Sequence, residues 1–253
     1  MILSDFHVHT CFCDGRDSPE EIVREALKLG MSKLGFSGHA HTPFDEEACM
    51  SLENTRLYRE EILRLKAKYS GQIDILCGTE QDYYSDVDTD GYDYVIGSVH
   101  YVEASGKHLS VDDTPEILDE AVRECGGADA LAEKYFALEA DVVRKTGADI
   151  IGHFDLLAKF GRIDENSPLY VEAAFSALDA LLATGKPFEI NTGAVARGYK
   201  SFPYPSMCFL KYIAQHGGKV ILSSDSHSKD TLMYGFREYE ALAESLGLKV
   251  IEL

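Results

Sequence analysis

The sequence predicts an α/β fold in which seven short strands alternate with helices in one parallel sheet, open or closed into a barrel. Three observations predict it. Helix-like segments repeatedly end at glycine and pass within a few residues into a short apolar run. That is the pattern of a left-handed glycine past a helix followed by a buried strand. Helix starts pair a capping residue with proline, at Ser18-Pro19, Thr114-Pro115 and Ser167-Pro168. A length of 253 residues with 45% hydrophobic content suits one such domain.

The elements follow in order. Residues 2–8 form the first strand, with His7 and His9 at its end. Ser18-Pro19-Glu20-Glu21 is a capping box that opens a helix. Gly30 leads to a strand at 34–39 ending in His39, and Gly71 to one at 73–80 ending in Glu80. Residues 94–99 form the next, followed by His100. The stretch 101–128 departs from the strand–helix spacing and is expected to be a loop plus a short helix over the mouth. Gly147 leads to 149–154 with His153, Gly185 to 187–191 with Asn191, and Gly217 to 219–227 with Asp225 and His227. No linker or second composition regime interrupts the chain, so residues 1–253 read as a single domain.

Composition excludes several functions. With 43 acidic against 24 basic residues the net charge is −19, a field that repels nucleic acid. A small substrate is compatible, because a few local cations or metals reverse the sign inside a pocket. The six cysteines are scattered without a CxxC pair, as expected of reduced thiols in the cytoplasm. Cys11 and Cys13 read as small loop side chains, with soft metal ligation as the alternative. Met1 leads straight into an apolar run without a basic segment, and no stretch reaches membrane-spanning length. The expectation is a soluble cytoplasmic protein with no membrane or nucleic-acid partner.

The chemistry lies where the polar residues fall. His7, His9, His39, Glu80, His100, His153, Asp225 and His227 all sit at or just past the ends of expected strands. In an α/β barrel those ends converge on one mouth. Imidazole and carboxylate donors together suit zinc, manganese or iron(II). One such ion needs three or four protein ligands, so this set implies two or three ions with a bridging carboxylate. His7-Val8-His9 and Asp225-Ser226-His227 each project both donors to one side of an extended segment. His108, in the insertion, and His216, at a helix end, read as structural.

Asp5-Phe6-His7-Val8-His9-Thr10 resembles the DxHxH opening motif of the PHP (polymerase and histidinol phosphatase) superfamily. Gly38-His39 is similar to its second motif, Glu80 to its isolated bridging carboxylate, His100 and His153 to its later histidines, and Asp225-Ser226-His227 to its closing DxH. The resemblance spans residues 5–227. It implies a distorted, TIM-like barrel of seven strands and a centre of up to three metals. It further implies a first ion on His7, His9, Glu80 and Asp225, and a second on Glu80, His100 and His153. The third would lie on His39 and His227 with Asp14, and Glu80 would bridge. Glu80 and Asp225 then belong to the catalytic set. The second motif departs from the family, which often has aspartate where Gly38 stands. His41, two residues beyond His39, is the alternative ligand and otherwise a candidate proton donor.

Selection of a phosphate needs further cations. Arginine presents a planar fork that fits phosphate oxygens. Arg162 follows the His153 strand and Arg197 the Asn191 strand, so both are expected at the mouth. The surrounding runs HFDLLAKFGR and EINTGAVARG look like the histidinol-phosphate phosphatase branch, which implies that these arginines hold phosphate. The implied activity is hydrolysis of a small phosphate monoester, L-histidinol phosphate. Another small-molecule phosphatase or phosphodiesterase, and a non-catalytic metal-binding module, are the alternatives. Asp45, Glu46 and Glu47 read as a solvated loop, with an ammonium contact as their alternative role.

Overall fold

The computed structural model describes residues 2–253, and Met1 lies outside the described residues. The chain begins β1 (Ser4–Asp5), α1 (Pro19–Lys28), β2 (Lys33–Phe36), α2 (Leu52–Lys68), β3 (Asp74–Asp82) and β4 (Tyr94–Ser98). It continues β5 (Tyr101–Ala104), β6 (Lys107–Ser110), α3 (Pro115–Cys125), α4 (Ala128–Thr146), β7 (Ile150–Ile151) and α5 (Pro168–Leu182). It ends β8 (Phe188–Asn191), α6 (Gly193–Ala196), α7 (Met207–Gln215), β9 (Lys219–Ser223), α8 (Phe236–Ser245) and β10 (Lys249–Val250).

The strands β1-β2-β3-β4-β7-β8-β9 stand side by side in that order, every pair parallel. Beyond β1 and β9, Val8 bridges Ser226 in parallel. Ser226 N donates to His7 O at 3.1 Å and His9 N to Ser226 O at 2.9 Å. This seam draws the first expected strand onto the last, giving the distorted TIM-like barrel. An eighth strand, β10, pairs with β9 at Lys219 and Val220, at the end away from the seam. The seven expected strands omit it, although it follows Gly247 through the same glycine joint that marks the others.

Every residue of β4 and β8 is buried, as befits parallel strands covered on both faces. Helices cover the outside of the barrel. Inside, Phe6, Tyr94, Ile96, Ile150 and Ile221 form a small core beneath the mouth. Tyr94 organises it by donating to Phe6 O at 2.5 Å and Phe36 O at 3.0 Å. Its ring needs the space left by Gly35 and Gly78, where an added Cβ would lie 2.4 Å from Tyr94 Oη and 2.3 Å from its Cζ.

Two of the three expected caps form as read. Glu21 accepts from Ser18 N at 3.1 Å, and Thr114 Oγ1 accepts from Ile117 N at 3.2 Å. The Ser167 hydroxyl instead donates to Asp129 Oδ1 at 2.5 Å, tying α5 to α4.

The insertion corrects its expectation. It is a β-hairpin, β5 against β6, followed by an 11-residue helix. Ser105 and Gly106 both take positive φ, 51° and 75°, which is the geometry of a tight hairpin turn. The Ser-Gly pair between two half-buried tetrads is the signal that reveals it. Among the described residues no helix is long and apolar enough to cross a membrane. Gly78→Ala is expected to cost about 1–3 kcal/mol by overpacking Tyr94, measured as a lower denaturant midpoint at unchanged m-value.

Candidate metal centre

Glu80 is 1% exposed and lies at the centre of the histidine cluster. β3 outruns β2, so Glu80 pairs with Ile96 of β4 on one side and bridges His39 on the other. Its Oε1 accepts from Ser98 Oγ at 2.7 Å and lies 3.1 Å from His153 Nε2 and 3.4 Å from His100 Nε2. Its Oε2 lies 2.9 Å from His39 Nδ1, 3.2 Å from His7 Nε2 and 3.6 Å from His9 Nε2. Burial pushes the Glu80 carboxyl up, but His7, His39 and His100 outweigh it and hold the group well below the usual range.

Asp225 faces the same space across the seam. Its Oδ1 lies 3.3 Å from His9 Nε2, 3.5 Å from His227 Nδ1 and 3.7 Å from His7 Nε2. Its backbone is left-handed, φ 48°, a conformation aspartate tolerates better than most residues. Gly193 makes room for it, since a Cβ there would sit 2.8 Å from Asp225 Oδ2. Asp14 closes the outer side, with Oδ2 3.0 Å from His227 Nε2 and Oδ1 3.7 Å from both His9 Nδ1 and His39 Nε2.

These residues fit divalent cations. Two donors on one tetrahedral ion at about 2.1 Å stand about 3.4 Å apart, and the separations above bracket that value. Three overlapping sets have donors mutually within 4.8 Å: His7, His9 and Asp225; His39, Glu80 and His100; and His9, Asp14, His39 and His227. His7 Nε2, His9 Nε2 and Glu80 Oε2 are buried without a hydrogen-bond partner. Leaving such atoms unmet costs about 1–3 kcal/mol each, which a cation among them would relieve. Burial, with His227 and His39 beside it, pushes His9 down to about 3, so it is the neutral imidazole that ligation requires.

All nine candidate ligands therefore meet at one mouth. Asp5 fixes the seam behind them, with Oδ1 accepting from Ser224 N at 3.1 Å and His7 N at 3.3 Å, and Oδ2 from Met233 N at 3.1 Å. A side chain at Gly38, where the family often has aspartate, would press on its neighbours, since a Cβ there would be 3.3 Å from Cys13 Sγ and Met50 Cε. Sequence reasoning missed Asp82 and Glu189, which lie behind His100 and His7 at 3.2 Å and 2.7 Å. Asp82 lies two residues past Glu80, and Glu189 two before Asn191, on the face that period-two alternation shares with those residues.

Three expectations are corrected. His41 is outside the cleft, its Nδ1 3.1 Å from Met50 O, because the chain turns away after the His39 bridge. It is neither placed as a ligand nor as a proton donor. Arg162 is exposed and also outside the cleft. The 3-10 turn Leu156–Ala158 brings Lys159 over the mouth instead, and the left-handed Gly161 turns the chain outward. His108 lines the cleft, stacked on Phe44 at 3.9 Å with rings 4° apart. His216 keeps its helix-end role, exposed and 2.8 Å from Tyr212 O.

The mouth opens into a cleft of about 780 Å³. Arg197 lies at its metal end, as expected, with Nη2 donating to Asp225 Oδ2 at 3.1 Å and Nη1 to Asp225 O at 3.2 Å. Lys159 Nζ donates to Asp112 O at 2.5 Å and Asp112 Oδ2 at 3.1 Å. Against burial, Lys159 holds the Asp112 carboxyl down to about 2. Asp45, Glu46, Glu47, Asp113 and Glu120 also line it, so the loop expected to be merely solvated faces the cleft. Tyr101 donates to Asp45 and fastens this loop to the hairpin.

Residues 5–193 match the family model described as PHP domain. A "Probable histidinol-phosphatase" of Deinococcus radiodurans is 33% identical, covering 96% of this chain and 92% of the relative. The histidinol-phosphatase of Bacillus subtilis is 27% identical, covering 95% and 98%. Among solved structures, the histidinol phosphate phosphatase of Lactococcus lactis, complexed with zinc, L-histidinol and phosphate, superposes with a TM-score of 0.77. It is 24% identical and covers 98% of this chain and 95% of its own, a likeness that speaks for the fold.

The purified protein is expected to hold more than one transition-metal ion per chain by elemental analysis. His7→Ala or Asp225→Ala should lose metal and nearly all turnover, whereas His216→Ala should stay within a few-fold of wild type.

Proposed function

The chain belongs to the PHP domain family, and on that premise we propose that it hydrolyses L-histidinol phosphate to L-histidinol and phosphate. The observation that carries this reading is the make-up of the cleft. Metal donors, Arg197 and Lys159 line it together with the acids Asp45, Glu46 and Glu47. A phosphate dianion suits the first group and an ammonium the second. Phe44, Tyr101 and His108 add aromatic surface for an imidazole ring. The names of the relatives point to the same substrate. Six free thiols among the described residues suit the cytoplasmic setting of such an enzyme.

The first ion is assigned to His7, His9, Glu80 and Asp225, the second to Glu80, His100 and His153, and the third to His39, His227 and Asp14. Zinc, manganese or iron(II) bound there would lower the pKa of a water and offset charge on the phosphoryl oxygens. Asp225, held through Oδ2 by Arg197, turns Oδ1 to the centre and is positioned to accept a proton from the attacking water. Arg197 and Lys159 take the phosphoryl oxygens that face the cleft, by charge-assisted hydrogen bonds that also stabilise the transition state. Lys159 thereby replaces Arg162 in the phosphate clamp.

The test is kcat/KM of metal-replete protein on L-histidinol phosphate beside a panel of other monoesters and diesters. L-Histidinol phosphate should lead the panel, and a clear preference for another ester would reassign the substrate. Arg197→Ala and Lys159→Ala should each lower kcat/KM by roughly 2–4 kcal/mol, the scale for losing one charge-stabilising donor. Arg162→Ala should stay near wild type. Retained metal in the two clamp variants would separate phosphate binding from ligation.

A further inference from the structure

We propose that Glu189 is a positioning residue that holds the His7 imidazole with Nε2 turned into the metal centre, and that Asn191 steers Glu189. Glu189 lies inside the barrel on β8 and is fully buried. Its Oε1 is 2.7 Å from His7 Nδ1, and its Oε2 accepts from Asn191 Nδ2 at 3.2 Å. Asn191 is fixed in turn, because its Oδ1 accepts from Gly193 N at 3.0 Å and its backbone pairs with Tyr204. The relay therefore runs from the start of α6 through Asn191 and Glu189 to His7.

A buried carboxylate is costly to keep charged unless it is paired. Among the described residues no lysine or arginine pairs with Glu189, and His7 is its one ionic neighbour. Its position is thus explained by His7 rather than by packing. An imidazole that gives its Nδ1 proton to a carboxylate presents the Nε2 lone pair outward, with raised basicity and a fixed ring plane. His7 Nε2 has no hydrogen-bond partner and lies 3.2 Å from Glu80 Oε2 and 3.7 Å from Asp225 Oδ1. The other buried imidazoles differ. Asp82 takes His100 Nδ1 at 3.2 Å, His9 Nδ1 lies 3.7 Å from Asp14 Oδ1, and His153 Nδ1 has no partner. His7 has the shortest such contact of the four.

This inference rests on the metal-centre reading, and the experiment separates their failures. Metal-free wild type, Glu189→Gln, Glu189→Ala and Asn191→Ala would be titrated with zinc against a competing chelator, and thermal unfolding of each metal-free protein recorded. Losing the carboxylate should weaken the tightest zinc site by about 10–100-fold, with Gln at the low end of that range and Ala at the high end. Asn191→Ala should weaken it severalfold. The unfolding midpoint of metal-free Glu189→Gln should fall together with the affinity, because one partner of a buried pair is gone. Wild-type zinc affinity in Glu189→Gln and Asn191→Ala would overturn the proposal, whether or not Glu189→Ala folds. A lowered midpoint with affinity intact would overturn it too, making Glu189 a packing residue. Failure of wild type itself to bind zinc would overturn the metal centre on which the inference rests.

Discussion

A single buried carboxylate constrains everything around it. Glu80 is 1% exposed, and five imidazoles lie within 3.6 Å of its oxygens. An ionised group at that depth costs several kcal/mol unless its neighbours repay it. Ser98 is its one hydroxyl donor, so the imidazoles, and the cations they are arranged to hold, must do the rest. Six chain segments therefore have to end at the same level. The parallel register delivers this, since five segments contribute their donors just past their last regular pairing and β3, which outruns β2, contributes Glu80 from within its ladder with β4.

The supporting layer obeys the same constraint. Asp5, Asp82 and Glu189 are all buried behind the ligands, and each is spent on a backbone amide or an imidazole. Close approach does the remaining positioning. Gly193 leaves space for Asp225, and Gly15 lies so near Thr10 that a Cβ would come within 2.5 Å of its amide nitrogen. Such a centre is assembled by folding but completed by cations. Whatever binds these donors in the native state alone adds its binding free energy to stability.

Much of this was legible in the sequence, for local reasons. Glycine joints and apolar runs mark seven strands because helix ends and buried strands need those residues at those places. The period-two spacing of His7 with His9 survives because that segment still pairs at the seam, and Asp225 and His227 reach the mouth from either side of the bridging Ser226 although Asp225 is left-handed. What was not legible depends on turns after the strands. His41 has the same spacing from His39, yet the chain bends at Thr42–Asp45 and carries it away. Arg162 sits only three residues beyond Lys159, but a 3-10 turn and Gly161 decide which cation reaches the cleft. The hairpin at 101–110 was hidden by its length, since tetrads of half-buried residues carry little periodic signal. Glu189 looked like part of an apolar strand because its role appears only once His7, on a distant segment, lies beside it.

The acidity of the chain then acquires a local meaning. At the metal end of the cleft Asp14, Glu80, Asp82, Asp112 and Asp225 face only Lys159 and Arg197 as permanent cations. Both cations are already tethered, Lys159 to Asp112 and Arg197 to Asp225, so their charge is largely spent in place. With the imidazoles neutral, as ligation requires, protein groups alone leave this end net negative, and a phosphate dianion would be repelled as it is from the rest of the surface. Divalent ions reverse that sign. Lysine and arginine then act as oriented donors rather than as the source of attraction, and the tethers keep them in place at no further entropic cost. Phosphate affinity is in this sense a property of the loaded centre. The acids Asp45, Glu46 and Glu47 in the same lining are unchanged by loading and continue to favour a cationic leaving group. One cleft thus attracts both charges, with the balance at its centre set by the ions that Glu80 gathers.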